Sequence, residues 1–263
     1  VEQKEENRKM GQTIAVVNQK GGVGKTTTAV NLAAALTELG LRVLVCDFDP
    51  QANATSGLGI DKRRLKYTSY HMIIEEASAI QALIHTKFAD VIPSSADLAG
   101  AGVELIDMAH REQQLRRGLE PLRQDYDVIF IDCPPSLEML TLNGLVAADG
   151  ILIPVQCEYY ALEGLSDLMA TLRSVKRKLN PTLDIFGVIL TMFDGRTNFS
   201  TQVAQEVRRH FPGKVFTTSI PRNVRLAEAP SHGLPITAYD RSSRGAVAYR
   251  DLAEEVARKL NRR

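Results

Sequence analysis

Between the apolar run Thr13–Val17 and a helix-forming stretch that opens at Lys25 lies Lys20-Gly21-Gly22-Val23-Gly24-Lys25-Thr26. No other segment of the chain restricts the possible folds so strongly. Glycines let successive backbone N–H groups turn inward as a nest for an anion, and a helix N-terminus adds its dipole. A strand has to enter such a loop and a helix has to leave it, so the chain begins a βα unit here. Lys25 is placed to reach β- and γ-phosphates, and the Thr26 hydroxyl to hold Mg²⁺. The usual G-x-x-x-x-G-K-[ST] pattern is not fully met. Gln19 occupies its first glycine position, and a second lysine, Lys20, precedes the glycine pair.

Downstream, short β-branched runs alternate with longer helical stretches, the pattern of βαβ units and a mostly parallel sheet. Strands are expected at Thr13–Val17, Arg42–Asp47, Val91–Pro93, Val128–Asp132, Ile151–Val155, Ile185–Leu190 and Val215–Ile220. Helices are expected at Lys25–Leu39, Leu98–Met108, Gln113–Leu122, Leu162–Leu179, Ser200–His210 and Gly245–Leu260. Several strands are nearly continuous apolar runs, as in a sheet covered on both faces. With no repeat or Gly/Pro/Ser-rich linker, residues 10–263 read as one α/β domain, a twisted sheet flanked by helices on both faces. Residues 1–9 read as a charged leader. No apolar run approaches the ~18 residues a membrane span needs. Cys46, Cys133 and Cys157 are widely spaced, which fits a reduced interior better than disulfides or zinc.

Two apolar strands deliver carboxylates. Val128–Asp132 ends in Asp132, and Arg42–Asp47 runs on into Asp49, with Asp47 and Asp49 on one face by strand alternation. An α/β sheet places its ligand outside the carboxyl ends of its strands, where the three would gather around a metal-bound phosphate.

These segments resemble the deviant-Walker ATPases, and within them the ParA/Soj partition proteins, over Met10 to Leu260. Lys20–Thr27 resembles the deviant Walker A, whose extra lysine marks the family. Asp47–Thr55 is similar to its Walker A′ or switch I, and Asp132-Cys133-Pro134-Pro135-Ser136 to Walker B running into switch II. Glu158–Gly164 and Pro221–Ser231 are similar to stretches of the Soj-like branch. The resemblance implies an ATP- and Mg²⁺-dependent sandwich dimer in which Lys20 reaches the phosphates of the partner subunit. It implies nucleotide contacts from Lys20, Gly21, Gly22, Val23, Gly24, Lys25, Thr26 and Thr27, with Pro221 and Asn223 near the adenine. Thr26, Asp47 and Asp132 fall to the metal, and Asp49 to the attacking water, with Asn53 assisting. Gly21 matches a position where bulk would block close subunit approach.

ParA/Soj dimers bind DNA without sequence preference, and a ParB-type centromere-binding protein stimulates their hydrolysis. A cytoplasmic, nucleoid-associated protein is therefore expected. Charge is distributed accordingly: residues 1–172 carry 15 Lys/Arg against 23 Asp/Glu, residues 173–263 carry 17 against 8. Arg196 and Arg225 match basic positions implicated in DNA contact, and Lys176, Arg177, Lys178, Arg208, Arg209 and Lys214 could extend the footprint. About a dozen residues precede the first strand, too few for a helix-turn-helix operator reader. The rival reading is a MinD-like membrane-cycling ATPase. It needs an amphipathic membrane helix, whereas Leu252, Val256 and Leu260 of the final helix fit packing against the sheet better, with no Phe or Trp beside them. An iron–sulfur role would rest on Cys133 alone, which reads instead as a small buried hydrophobe.

Overall fold

The computed structural model describes residues 10–158 and 163–261. Its sheet comprises β1 (Gln12–Val16), β2 (Val43–Asp47), β3 (Asp90–Ile92), β4 (Val128–Asp132), β5 (Gly150–Gln156) and β6 (Asp184–Thr191). The spatial order is β3-β2-β4-β1-β5-β6, with every pairing parallel. The longer helices are α1 (Lys25–Glu38), α2 (Met139–Ala147), α3 (Glu163–Lys178), α4 (Asn198–His210) and α5 (Arg244–Asn261).

Strand alternation divides the core in two. Ala15, Leu44, Cys46, Ile129, Ile131, Ile151 and Ile153 face one side, against Leu145 and Val146 of α2, Leu168 and Leu172 of α3 and Val207 of α4. Ile14, Val16, Val43, Val45, Val128, Phe130 and Leu152 face the other, against α1 and α5. Both faces are thus dry, which is why the strands read as unbroken apolar runs. Leu252, Ala253 and Val256 of α5 are fully buried in that second core. The apolar face of the last helix is therefore spent on packing. Among the described residues, no helix is long and apolar enough to cross a membrane.

Three expected elements differ. Val215–Ile220 is not a seventh strand: it meets β6 at the isolated bridge Val188–Val215 and through Ile220 N, which donates to Leu190 O at 2.8 Å, and a second bridge, Phe193–Pro221, lies just beyond both segments. The reason lies in α5, whose Glu255 carboxylate takes the N–H groups of Thr217 and Thr218 at 2.9 and 2.7 Å. Leu98–Met108 breaks into short turns at Ala96–Ala99, Ala101–Glu104 and Leu105–Asp107, around Gly100 and Gly102, both poor helix formers. The helix expected at Gln113–Leu122 spans Gln114–Leu119 and tightens to a 3₁₀ turn at Glu120–Leu122, which contains Pro121. Conversely, α2 is not expected from its Thr141, Asn143 and Gly144. The Asn143 side chain accepts from Leu115 N and donates to Arg111 O, and these tertiary bonds fix it. The expected leader 1–9 and Tyr159–Leu162 of the Glu158–Gly164 stretch, including the expected start of α3, lie outside the described residues.

Candidate nucleotide site

β1 ends at the centre of the sheet, between β4 and β5, and the glycine loop leaves from there. Gly22 (φ 74°) and Gly24 (φ 91°) hold the left-handed backbone that turns the loop, a conformation costly for other residues. Gly24 is the residue from which α1 springs. Gly21 is different: its φ is ordinary and a Cβ there would meet nothing within 4 Å. Among the described residues, nothing requires glycine at that position. Asn18 braces the loop, donating from Nδ2 to Pro154 O at 2.8 Å and accepting from Lys20 N at 3.0 Å. Thr191, at the end of β6, donates its hydroxyl to Val23 O at 2.8 Å.

The two lysines are placed in opposite ways. Lys25 is 6% exposed, its Nζ donating to Lys20 O at 3.0 Å across the loop. Burial lowers its pKa, while Asp132 and Asp49 pull the other way. The Lys20 side chain is 37% exposed and ion-paired with Glu158 of the same chain.

The expected carboxylates converge as the strand ends require. Asp47 and Asp132 are register partners at the ends of β2 and β4. Both are fully buried, on the α1 side of the sheet by alternation. Asp49 is 7% exposed and its Oδ1 accepts from Gln51 N at 2.9 Å. Burial pushes Asp47 up to about 6, although hydrogen bonds from Thr55 oppose the rise. Asp132 is pushed well above the carboxylate range, first by burial and then by Asp47, with Thr26 and Lys25 acting against the shift. Among the described residues, neither Asp132 oxygen has a partner in good hydrogen-bond geometry, although the Thr26 hydroxyl stands near enough to favour its ionised form.

That pair of bare buried oxygens beside Thr26 is the observation that fits a hard cation. Among the described residues, no group of three or more His, Cys, Asp and Glu side chains could cage an ion alone. Mg²⁺ does not need one, since it takes one or two carboxylates and fills its octahedron with water and phosphate oxygens.

Beside the loop lies a cavity of about 340 Å³ lined by Gly24, Thr27, Thr191, Met192, Pro221, Asn223, Leu226 and Tyr249, among others. Pro221 and Asn223 thus border the same cavity as Gly24 and Thr27 of the loop. Asn223 also caps the turn Val224–Glu228, its Oδ1 accepting from Arg225 N at 2.8 Å. The sequence reading missed Thr191, Met192 and Tyr249. Thr191 sits at a strand's carboxyl end, the same signal that found the aspartates. Tyr249, mid-helix in α5, gives no local sign.

Arg196 is 89% exposed and doubly paired with Asp194, at 2.8 and 2.7 Å. Arg225 is 54% exposed and paired with Glu228 at 2.8 Å and Asp240 at 3.5 Å. The Phe193–Pro221 bridge sets their two loops side by side. Cys133 is buried against Gly144, where an added Cβ would lie 2.7 Å from its Sγ, so the thiol fills space rather than facing a ligand.

Comparison with known proteins decides the lineage. Residues 11–185 match the family described as an AAA domain. The sporulation initiation inhibitor protein Soj of Bacillus subtilis is 56% identical over 250 residues, covering 94% of this chain and 99% of that protein. The chain belongs to the Soj/ParA family of partition ATPases. The chromosome partitioning protein ParA of Myxococcus xanthus is 51% identical, covering 95% of this chain and 89% of its own. Among solved structures, cobyrinic acid a,c-diamide synthase of Mycobacterium smegmatis with bound ADP and magnesium superposes with a TM-score of 0.84 at 38% identity, covering 96% of each chain. The septum site-determining protein MinD of Pyrococcus horikoshii, complexed with Mg-ADP, gives 0.78 at 28% identity, covering 94% of this chain and 96% of that one. The deviant-Walker ancestry expected from the glycine loop is thereby established.

Proposed function

We propose that this ATPase closes into a sandwich dimer on Mg-ATP, grips DNA without sequence preference in that state, and lets go on hydrolysis stimulated by a ParB-type partner. The observation carrying this reading is the contrast between the two lysines. Lys25 is buried over its own loop, whereas Lys20 stands half-exposed at the mouth, paired with Glu158. A group so placed can serve a phosphate presented from outside the chain. A second cation supplied in trans offsets γ-phosphate charge that one loop leaves uncompensated, in the manner of an arginine finger. The open space at Gly21 fits the same dimer, since it leaves room for a group from outside the chain to approach the loop closely.

Within each site, the N–H groups of Gly21–Thr27 cradle the triphosphate, Lys25 meets the β- and γ-oxygens, and the cavity at Pro221 and Asn223 takes the adenine. Thr26, Asp47 and Asp132 would hold Mg²⁺, which supplies charge neutralisation on the phosphates. Asp49, at the end of the same face as Asp47, orients the attacking water, with Asn53 beside it. Both Asp47 and Asp132 have to be ionised for this, which a divalent cation favours strongly.

Arg196 and Arg225 are the DNA contacts of this reading. Each is shared with carboxylates, so each monomer offers a modest patch, and two patches in a dimer add avidity that one lacks. Nucleotide state then switches affinity without altering the patch. The MinD-like alternative is the weaker reading because the apolar face of α5 is already buried. The test is DNA retention with ATP, ADP and no nucleotide across a salt series. Retention only with ATP, lost steeply with salt, is expected; ATP-dependent binding to anionic vesicles without DNA binding would overturn it.

A further inference from the structure

Thr55 has no assigned part in the site, yet it makes the most concentrated set of polar contacts there. Its backbone N–H and its hydroxyl both donate to Asp47 Oδ2, each at 2.7 Å. Its Oγ1 accepts in turn from Ser94 N at 3.0 Å. Asp47, Thr55 and Ser94 are all fully buried. A hydroxyl has one proton, and the Ser94 donor occupies an oxygen lone pair, so that proton is committed to Asp47. The Asp47 carboxylate is therefore held at one oxygen from two directions. Among the described residues, its other oxygen has only the long contact from Asp49 N, at 3.3 Å.

The chain reaches this arrangement at a cost. Ala52 adopts the left-handed conformation, φ 52°, to bring the turn Asn53–Gly57 back beneath the end of β2. Asp49 lies on the same short connection, its carbonyl accepting from Ala52 N at 2.8 Å and its Oδ1 from Gln51 N. A shift of the Asp47 carboxylate is thus passed through Thr55 to the segment that carries Asp49.

We propose that Thr55 is the positioning residue of the metal site, aiming Oδ1 of Asp47 and tying the segment that bears Asp49 to Ser94, just beyond the end of β3. This rests on the reading that Asp47 faces Mg²⁺. Thr55 touches neither metal nor phosphate; it acts through Asp47.

The test is equilibrium binding of a fluorescent ATP analogue to the full chain, titrated with Mg²⁺ and repeated in EDTA, for Thr55→Val, Thr55→Ser and Asp47→Asn. Thr55→Val keeps size and the backbone donor but removes the hydroxyl. It should raise the half-saturating Mg²⁺ concentration about tenfold, the scale of one lost hydrogen bond to a charged group. Binding in EDTA should stay at the wild-type level, and Thr55→Ser should restore the wild-type Mg²⁺ titration. Steady-state hydrolysis should show the same split, with the Mg²⁺ requirement rising more than the saturated rate falls. An unchanged titration for Thr55→Val, while that of Asp47→Asn shifts, overturns the inference, as does a Thr55→Ser variant as impaired as Thr55→Val. If Asp47→Asn itself leaves the titration unmoved, the reading of Asp47 fails and the inference with it. Should Thr55→Val not fold, Thr55→Cys, a weak donor of similar size, replaces it with the same expected direction.

Discussion

Asp47 and Asp132 sit opposite each other at the ends of adjacent parallel strands, both sealed from water, and among the described residues neither oxygen of Asp132 has a well-formed hydrogen bond. Two carboxylates so placed repel each other until a cation arrives. Burial raises both, Asp47 to about 6. A carboxyl whose pKa is higher folded than unfolded stabilises the fold at low pH, and that contribution is lost as pH rises through the folded value. The nucleotide-free protein should therefore lose stability between pH 5 and pH 7.5. Asp132→Asn should raise its melting temperature at pH 7.5 by a few degrees, about 2–4 °C for each kcal/mol relieved, and by less at pH 5. The same variant should lose Mg²⁺-dependent hydrolysis. Thermal unfolding at the two pH values, without nucleotide, decides this. A variant less stable than wild type at pH 7.5 would mean the pair is not under repulsion.

Lys20 and Glu158 form a half-exposed ion pair, and such pairs contribute only about 0–1 kcal/mol. Lys20→Ala should thus melt within a degree or two of wild type and keep some ATP affinity, because Lys25 still serves the site. The loss should appear in assembly: light scattering with Mg-ATP should report a monomer where wild type gives a dimer. Equal dimerisation would remove Lys20 from the role proposed for it.

The sheet and its carboxylates were legible because backbone periodicity and burial act over a few residues. Six of the seven expected strands lie within a residue of the observed ones, and Asp47 and Asp132 fall at strand ends as the apolar runs foretell. Two of the failures lie where distant groups decide. Glu255, on the last helix, captures the N–H groups of Thr217 and Thr218 and so unmakes a strand whose own residues favour one. Asn143 and its partners at Leu115 and Arg111 stabilise a helix whose composition argues against it. Thr55 was visible as part of a motif, but its double bond to Asp47 depends on a left-handed Ala52 that no propensity scale anticipates.

Asp49 differs from Asp47 in that, among the described residues, its carboxylate is held only by local backbone, through Gln51 N at 2.9 Å, and in being slightly less buried. Removing it should spare nucleotide binding, which rests on the loop and the buried pair. Asp49→Ala should bind ATP and dimerise normally while hydrolysing at least about 100-fold more slowly, the lower range for loss of a positioned acid or base. The expected signature is a DNA-bound dimer that no longer cycles, measured as DNA retention alongside phosphate release. Normal phosphate release would show that another group positions the water.

Arg225 is held by Glu228 and Asp240, so charge reversal there would bring three carboxylates together and risk a local rearrangement. Arg225→Ala removes the cation with less disturbance, and Arg196→Ala does the same on the neighbouring loop, freeing only Asp194. Each arginine that meets a phosphate contributes a slope of about 0.9 to the dependence of log affinity on log salt. A dimer presents each residue twice. Either substitution should therefore flatten the slope by up to about 2 and weaken binding most at low salt, equally for unrelated duplex sequences. ATP-dependent dimerisation should persist in both variants. An unchanged salt slope with intact dimers would place the DNA contact elsewhere, first among Lys176, Arg177 and Lys178 in the last turn of α3, whose basic side chains are exposed to solvent.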